Sequence, residues 1–198
     1  MLEKIETMSE LEQYSSAVKY YATNHEDYLF HNEGNDHALI ILTNLFDNAN
    51  NHIRIAANRL YNDEVVNTPE YIGSMREFLN KKDSKLSIII SKKPSVEEVR
   101  TRGRENTFYW MLYNHPAYYQ GRVEIKEGEG KSFIGGNNIP VNFCTGDTQM
   151  YRFENDIEGR RATANFGDSE TTQQLIDVFD KTFESLQSKV ELNEYYTN

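Results

Sequence analysis

Apolar positions along the chain switch between two spacings. From about residue 7 to 23, TMSELEQYSSAVKYYAT, the residues Leu11, Tyr14, Val18 and Tyr21 recur at helical spacing, which predicts a packing helix. In DHALIILTNLFDNANN, Ala38, Ile41, Leu42, Leu45, Phe46 and Ala49 form one wide apolar stripe behind Asp36, a capping candidate. A second, firmly packed helix follows from that stripe. HIRIAAN, His52 to Asn58, is a strand with Ile53, Ile55 and Ala57 on one face. Thr68 and Pro69 start a helix through Tyr71, Met75, Phe78 and Leu79, since Pro suits a first helical turn. In KLSIIIS the consecutive isoleucines suit a strand covered on both faces, so this region reads as a β-α-β crossover. A further helix is expected from about Ser95 to Asn114, tolerating Gly103 and ending near Pro116.

The texture then changes. GRVEIKE reads as a strand, GEGKSFIGGNN as a Gly-rich loop, and IPVNFCT, MYRFE and RATANF as successive strands. The last segment, SETTQQLIDVFDKTFESLQSKV, is amphipathic: Leu175, Val178, Phe179, Phe183 and Leu186 share a face, with Ser169 as the cap. The alternation predicts an α/β fold, a mixed β-sheet sandwiched between helices.

Composition narrows the picture. A chain of 198 residues is expected to form a single domain, 1–198. With 38% apolar and 12% aromatic residues, its core should be rich in Tyr and Phe. A net charge of −10 argues against broad capture of nucleic acid or anionic lipid, leaving room only for a local basic patch. Cys144 is the single cysteine and cannot form an internal disulfide; MLEKIETMSELEQYSS has no apolar signal core, and no run reaches membrane-span length. The expected location is cytoplasmic, with no membrane partner.

Two stretches carry candidate chemistry. In the first, Pro140-Val141-Asn142 is followed by FCTG and then Asp147; in the second, Ala162-Thr163-Ala164-Asn165-Phe166 precedes the helix containing Phe179 and Asp180. Their order and spacing resemble the phospholipase D-like superfamily, whose signature is His-x-Lys, four residues, Asp, and later Gly-Ser-x-Asn before a helix. ALIILTNLFDNANNHIRIAAN is similar to that family's opening helix and strand. The resemblance covers about residues 35 to 188, with residues 1 to 30 as an N-terminal helical extension. It implies that two His-x-Lys strands, from two halves or two subunits, meet at a phosphodiester. There one imidazole attacks phosphorus, the other protonates the leaving oxygen, and lysines hold the phosphate charge.

That chemistry needs an imidazole and a cation. Here Pro stands at the His position and Asn at the Lys position. None of His25, His31, His37, His52 or His115 begins another His-x-Lys. The nearest, His52-Ile53-Arg54, has Arg59 where Asp would fall. Pro140, Asn142, Asp147, Thr163 and Asn165 are therefore the positions of a degenerate motif, with no catalytic residue assigned. Asp147 in TGDT also reads as an ordinary turn residue.

Other signals have plainer readings. Gly130-Lys131-Ser132 resembles the end of a phosphate loop, but its first glycine would fall at Ile125. Arg100 and Arg104 share a helix face, and Arg160 and Arg161 are expected on an exposed strand; these arginines are the candidates for phosphate or partner contact. A solvated face among Glu97, Glu98 and Glu105 is the alternative. Cys144 lacks clustered histidines and reads as a small core residue, while HNEGNDH, His31 to His37, reads as a solvated loop. Neither a metal nor a cofactor is expected. Phe108, Tyr109, Trp110, Tyr113, Tyr118 and Tyr119 exceed what one helix face buries, leaving Tyr118 and Tyr119 as candidates for an exposed contact.

The resemblance thus implies a catalytically inactive phospholipase D-like domain acting as a binding or assembly subunit. Its partner would be a second copy or another protein, in the setting of bacterial defence or a mobile element. A phosphodiesterase or nuclease with relocated catalytic residues, and a non-cleaving nucleic-acid-binding module using the Arg100 to Arg104 face, are the alternatives.

Overall fold

The computed structural model describes residues 8–101, 107–128, 133–134 and 139–197, with Ile134 described in its backbone alone. Helix α1 (Glu10–Asn24) opens on a capping box, in which Ser9 Oγ accepts from Glu12 N and the Glu12 carboxylate takes Ser9 N. A three-residue strand, β1 (Phe30–Asn32), follows and leads directly into α2 (Gly34–Asn48). The HNEGNDH segment is therefore not a solvated loop; three residues are too few to show a strand's alternation in sequence. Helix α2 starts two residues before Asp36, and its N-cap Glu33 makes no side-chain cap bond. Asp36 lies instead in the first turn, where its charge complements the helix dipole.

Strand β2 (His52–Ala57), helix α3 (Pro69–Asn80) and strand β3 (Lys85–Ile90) form the expected parallel crossover. Thr68 caps α3 by accepting from Tyr71 N, with Pro69 in the first turn. The helix expected over 95–114 is instead two, α4 (Val96–Thr101) and α5 (Phe108–Asn114), followed by α6 (Pro116–Tyr119). Thr107 starts a new helix because its hydroxyl accepts from Trp110 N, satisfying one otherwise orphaned donor. Strands β4 (Val123–Glu127), β5 (Phe133–Ile134), β6 (Pro140–Gly146), β7 (Met150–Asp156) and β8 (Arg161–Asn165) precede α7 (Ser169–Ser185) and a short α8 (Asn193–Tyr196). Asp168, not Ser169, caps α7, accepting from Thr171 N at 2.9 Å. The apolar stripe of α7 is also narrower than expected, since Val178 is 52% exposed.

Seven strands lie side by side in the order β1-β8-β7-β6-β2-β3-β4, and β5 pairs with the start of β6. Strands β2, β3 and β4 are parallel; the other pairings are antiparallel. The outer edge of β4 is covered rather than free. Glu127 N donates to Ser188 O and Val190 N to Ile125 O, each at 2.9 Å, so the chain after α7 blunts that edge.

One face of the sheet carries the large core, where Ile41, Leu45, Phe46, Met75 and Phe78 pack over Ile53, Ile55, Leu86 and Ile88; Val18 and Ala22 of α1 belong to it. The other face carries a smaller cluster, Ala56, Ile89 and Phe143 beneath Phe179. This is an α/β fold with a mixed sheet between helices. The surplus aromatic rings are absorbed by the C-terminus: Trp110 and Tyr113 each lie 5.1 Å from Tyr196, while Phe108 and Tyr109 are buried. Tyr118 is tied down, donating to Glu191 and accepting from Leu192 N. Tyr119 is 64% exposed.

Candidate functional site

The antiparallel register lines up a row of polar residues near the end of the sheet where β2 finishes. Asn142 pairs with Glu154, Glu154 with Ala162, and Ala162 with Asn32; one pair further in, Cys144 faces Arg152. Alternate residues of a strand share a face, so Asn142, Cys144, Arg152 and Glu154 all point to the large-core side. With Arg59, Asp63 and Arg160 they line a small cavity of about 60 Å³.

These side chains form one bonded chain. Asn32 Oδ1 accepts from Arg152 Nε at 3.3 Å and Nη2 at 3.2 Å, and Arg152 Nη2 donates to Glu154 Oε1 at 2.9 Å. Glu154 Oε2 accepts from Asn142 Nδ2 at 2.7 Å, and Asn142 Oδ1 accepts from the backbone N–H of Asn58 at 2.8 Å, just beyond β2. Asn32, Arg152 and Glu154 are all buried. A buried ion pair stands only when its remaining donors and acceptors are satisfied, and here Asn32 and Asn142 supply the bonds at either end. Beside it, Arg160 Nη2 donates to Asp63 Oδ2 at 2.7 Å.

The five positions that the resemblance singles out are spread through the fold. Pro140, exposed at the start of β6, borders an open cleft with Asn58, Asp156 and Arg161. Asp147 lies at the other end of β6, in a turn at φ 50, where its carboxylate accepts from the N–H groups of Asn50, Asn51 and His52. It anchors the entry to β2. Thr163 is half-buried in β8, opposite Phe153 and His31. Asn165 Nδ2 donates to Asp27 at 2.7 Å, and its Oδ1 accepts from Gly167 N and Asp168 N. A Cβ on Gly167 would come within 2.5 Å of the backbone at His25 to Asp27, so this turn and the end of α1 are in direct contact. Asn165 pairs with Tyr151 and therefore faces away from Asn142.

No imidazole lines the buried network among the described residues. His52 Nε2 is bonded to Ser87 Oγ at 2.9 Å, and burial, aided by Arg54 and Lys85, pushes its pKa down to about 4. His115 is likewise lowered by burial while bonded to Asn80 and to Ala117 N. Burial pushes the Cys144 thiol up to about 12, the opposite of an activated nucleophile. No group of three His, Cys, Asp or Glu side chains is arranged to hold a metal among the described residues.

Of the candidate arginines, Arg100 is exposed on α4 and Arg104 lies outside the described residues, as does Gly130-Lys131-Ser132. Arg160 occupies a turn at φ 49 rather than a strand, and Arg161 opens β8 paired with Asp156. Sequence reasoning missed Asn32, Arg59, Asp63, Arg152 and Glu154. The signal for the last two was present: in MYRFE, Arg152 and Glu154 alternate with Tyr151 and Phe153, so opposite charges share one face of an inner strand.

No family model and no curated protein matches this sequence. Solved structures do resemble the fold. The archaeal chromatin protein TrmBL2, described as showing a novel mode of DNA binding, matches with a TM-score of 0.56 at 13% identity over 93% of this chain. Nuc of Salmonella typhimurium, a phospholipase D family member, matches with a TM-score of 0.51 at 9% identity over 82% of this chain and 98% of its own. The fold is phospholipase D-like. Phosphatidylserine synthase of Haemophilus influenzae gives a TM-score of 0.48 at 12% identity over 85% of this chain. The chain spans 56% of the length of TrmBL2 and 42% of that of the synthase. No described helix is long and apolar enough to cross a membrane.

Proposed function

We propose that this chain is a phospholipase D-like domain that binds without hydrolysing, acting as a homodimer or as a subunit of a larger assembly. The observation that carries this reading is the use made of the motif strand. Pro140 offers neither a nucleophile nor a proton, and both ends of the Asn142 amide are spent on Glu154 and on Asn58 N. Of the three guanidinium groups lining this cavity, Arg152 and Arg160 are already paired with Glu154 and Asp63, and the third, Arg59, is exposed and also lines a neighbouring cleft. A phosphate taken by Arg152 or Arg160 would have to displace the carboxylate already paired there. One copy carries one such strand, and the resemblance, in which two strands meet, is the basis for expecting a second copy. A role in bacterial defence or a mobile element rests on that resemblance alone.

Two measurements test this. Bis-p-nitrophenyl phosphate should show no turnover above buffer; turnover that copurifies with the protein and is lost on substituting a residue of the buried network would overturn the non-hydrolytic reading. Sedimentation equilibrium should give a dimer or a complex with a copurifying protein; a monomer without a partner would remove the assembly role. Non-cleaving nucleic-acid binding is the second reading, favoured by the likeness to TrmBL2. A steep fall of DNA affinity with salt would support it, because phosphate contacts release counterions.

A further inference from the structure

A second and larger cleft shares Arg59 and Leu60 with the cavity beside the buried network. It opens where β2 and β3 end, between residues 59–62 and 92–95, and its volume is about 610 Å³. Ligands of open α/β sheets bind beyond the carboxyl ends of the strands, and small-molecule sites run from roughly 300 to 1,000 Å³.

The lining combines two chemistries. Arg59, Lys92 and Lys93 supply positive charge, while Leu60, Tyr61 and Tyr109 supply apolar and aromatic surface. Lys93 is tied to Glu194 at 3.3 Å. Arg59 and Lys92 are exposed and make no hydrogen bond or ion pair among the described residues. Two carboxylates, Glu97 and Glu98, also line the cleft, and Glu98 is already bonded by Ser95 N at 2.7 Å. Its pKa is held low chiefly by Ser95, with Arg59 and Lys92 adding less. Both cations therefore stand close to the cleft without being neutralised by direct contact.

The deep wall adds an independent observation. Tyr109 is 1% exposed, and its hydroxyl has no hydrogen-bond partner among the described residues. Neighbouring phenols are spent: Tyr61 donates to Val99 O at 2.9 Å and Tyr195 to Pro94 O at 3.0 Å. Unpartnered buried hydroxyls are uncommon and call for an explanation, and Tyr109 is the one that lines this cleft.

We propose that this cleft binds a small phosphorylated molecule with a planar ring, of the nucleoside monophosphate class. Arg59 and Lys92 hold the phosphate, the first through its planar fork and the second as a point charge. The ring lies against Tyr61, and a polar atom on it bonds the Tyr109 hydroxyl. None of the motif positions lines this cleft, although it shares Arg59 and Leu60 with the cavity beside Asn142, and the proposal stands whether or not the motif hydrolyses anything.

Isothermal titration of the full chain at low salt with AMP, and with adenosine as the uncharged control, tests the proposal. AMP should bind saturably and adenosine about tenfold more weakly, with Arg59→Ala plus Lys92→Ala costing AMP about tenfold in affinity. The melting temperature should not change, because both side chains are exposed. Tyr109→Phe, which removes only the unpartnered hydroxyl, should keep the fold and weaken AMP by about threefold. No saturable AMP binding up to roughly 10 mM, equal affinity for adenosine, or a double variant that binds like the parent would overturn it. An unchanged Tyr109→Phe would overturn the hydroxyl contact. Phosphodiester turnover would overturn the non-hydrolytic reading and leave these titrations untouched.

Discussion

Asn142 Nδ2 lies 2.7 Å from Glu154 Oε2, and the other oxygen of that carboxylate lies 2.9 Å from Arg152 Nη2. One carboxylate thus joins the motif strand to the only arginine buried among the described residues. Where the resemblance would place a phosphate-holding lysine, Asn142 instead helps to hold the sheet together.

Glu154 is accordingly the residue whose loss should cost most. Glu154→Ala leaves Arg152 charged, buried and without its anion, a change that typically destabilises by about 3–5 kcal/mol. Replacing both partners, Arg152→Met with Glu154→Leu, should cost less than Glu154→Ala alone, since no uncompensated charge remains. Urea unfolding of the two variants decides this. A single variant as stable as the parent would mean that the network contributes nothing.

Asp147 should behave as an anchor. Its carboxylate accepts from three consecutive backbone donors, at Asn50, Asn51 and His52, and its left-handed backbone, φ 50, is one that Asp tolerates better than Ala. Asp147→Ala should destabilise by about 2–4 kcal/mol, given about 1–3 kcal/mol for each donor left unsatisfied and partial replacement by water. Asp147→Asn, which keeps one oxygen, should cost about half as much. Neither should alter AMP affinity in the Arg59 cleft, because Asp147 sits at the opposite end of β6.

A pH effect follows from His52. Its folded pKa is about 4 against an ordinary 6.5, because burial disfavours the cation. Between those values the unfolded chain binds the proton and the folded chain does not, so stability is full above about 6.5 and falls as pH drops towards 4. His115 shifts in the same direction. Denaturation midpoints measured from pH 7.5 to 4.5 should decline, with the decline shallower in His52→Gln, which can keep a bond to Ser87 without taking a proton. An identical slope in the variant would remove His52 as a cause.

Much of the fold was legible because it rests on local periodicity. The isoleucines of β3 and the stripe of α2 lie where the pattern places them, and the crossover between β2 and β3 follows. What escaped was set by bonds between distant residues or by single caps. Thr107 splits the helix expected over 95–114, Asp168 displaces Ser169, and β1 exists only through its pairing with β8. At the site, Pro140 and Asn142 were visible from spacing. The partners of Asn142, Glu154 and Asn58, lie 12 and 84 residues away, and no motif announces a bond across a strand pair.

The sharpest question is whether two substitutions on β6 are enough to give hydrolysis. Pro140→His with Asn142→Lys would rewrite the motif on a strand already in a phospholipase D-like sheet. Turnover of bis-p-nitrophenyl phosphate should nevertheless stay at background. A lysine at position 142 would meet the Glu154 carboxylate, which already takes Arg152 and is buried, so its charge would be bound within the protein rather than offered to phosphate. Asn58 N would lose its acceptor, Asn142 Oδ1, lowering stability by about 1–3 kcal/mol. Hydrolysis that appears only when both substitutions are present would contradict this. It would mean that the groove is still open to phosphate and that Arg152 and Glu154 are no obstacle to it.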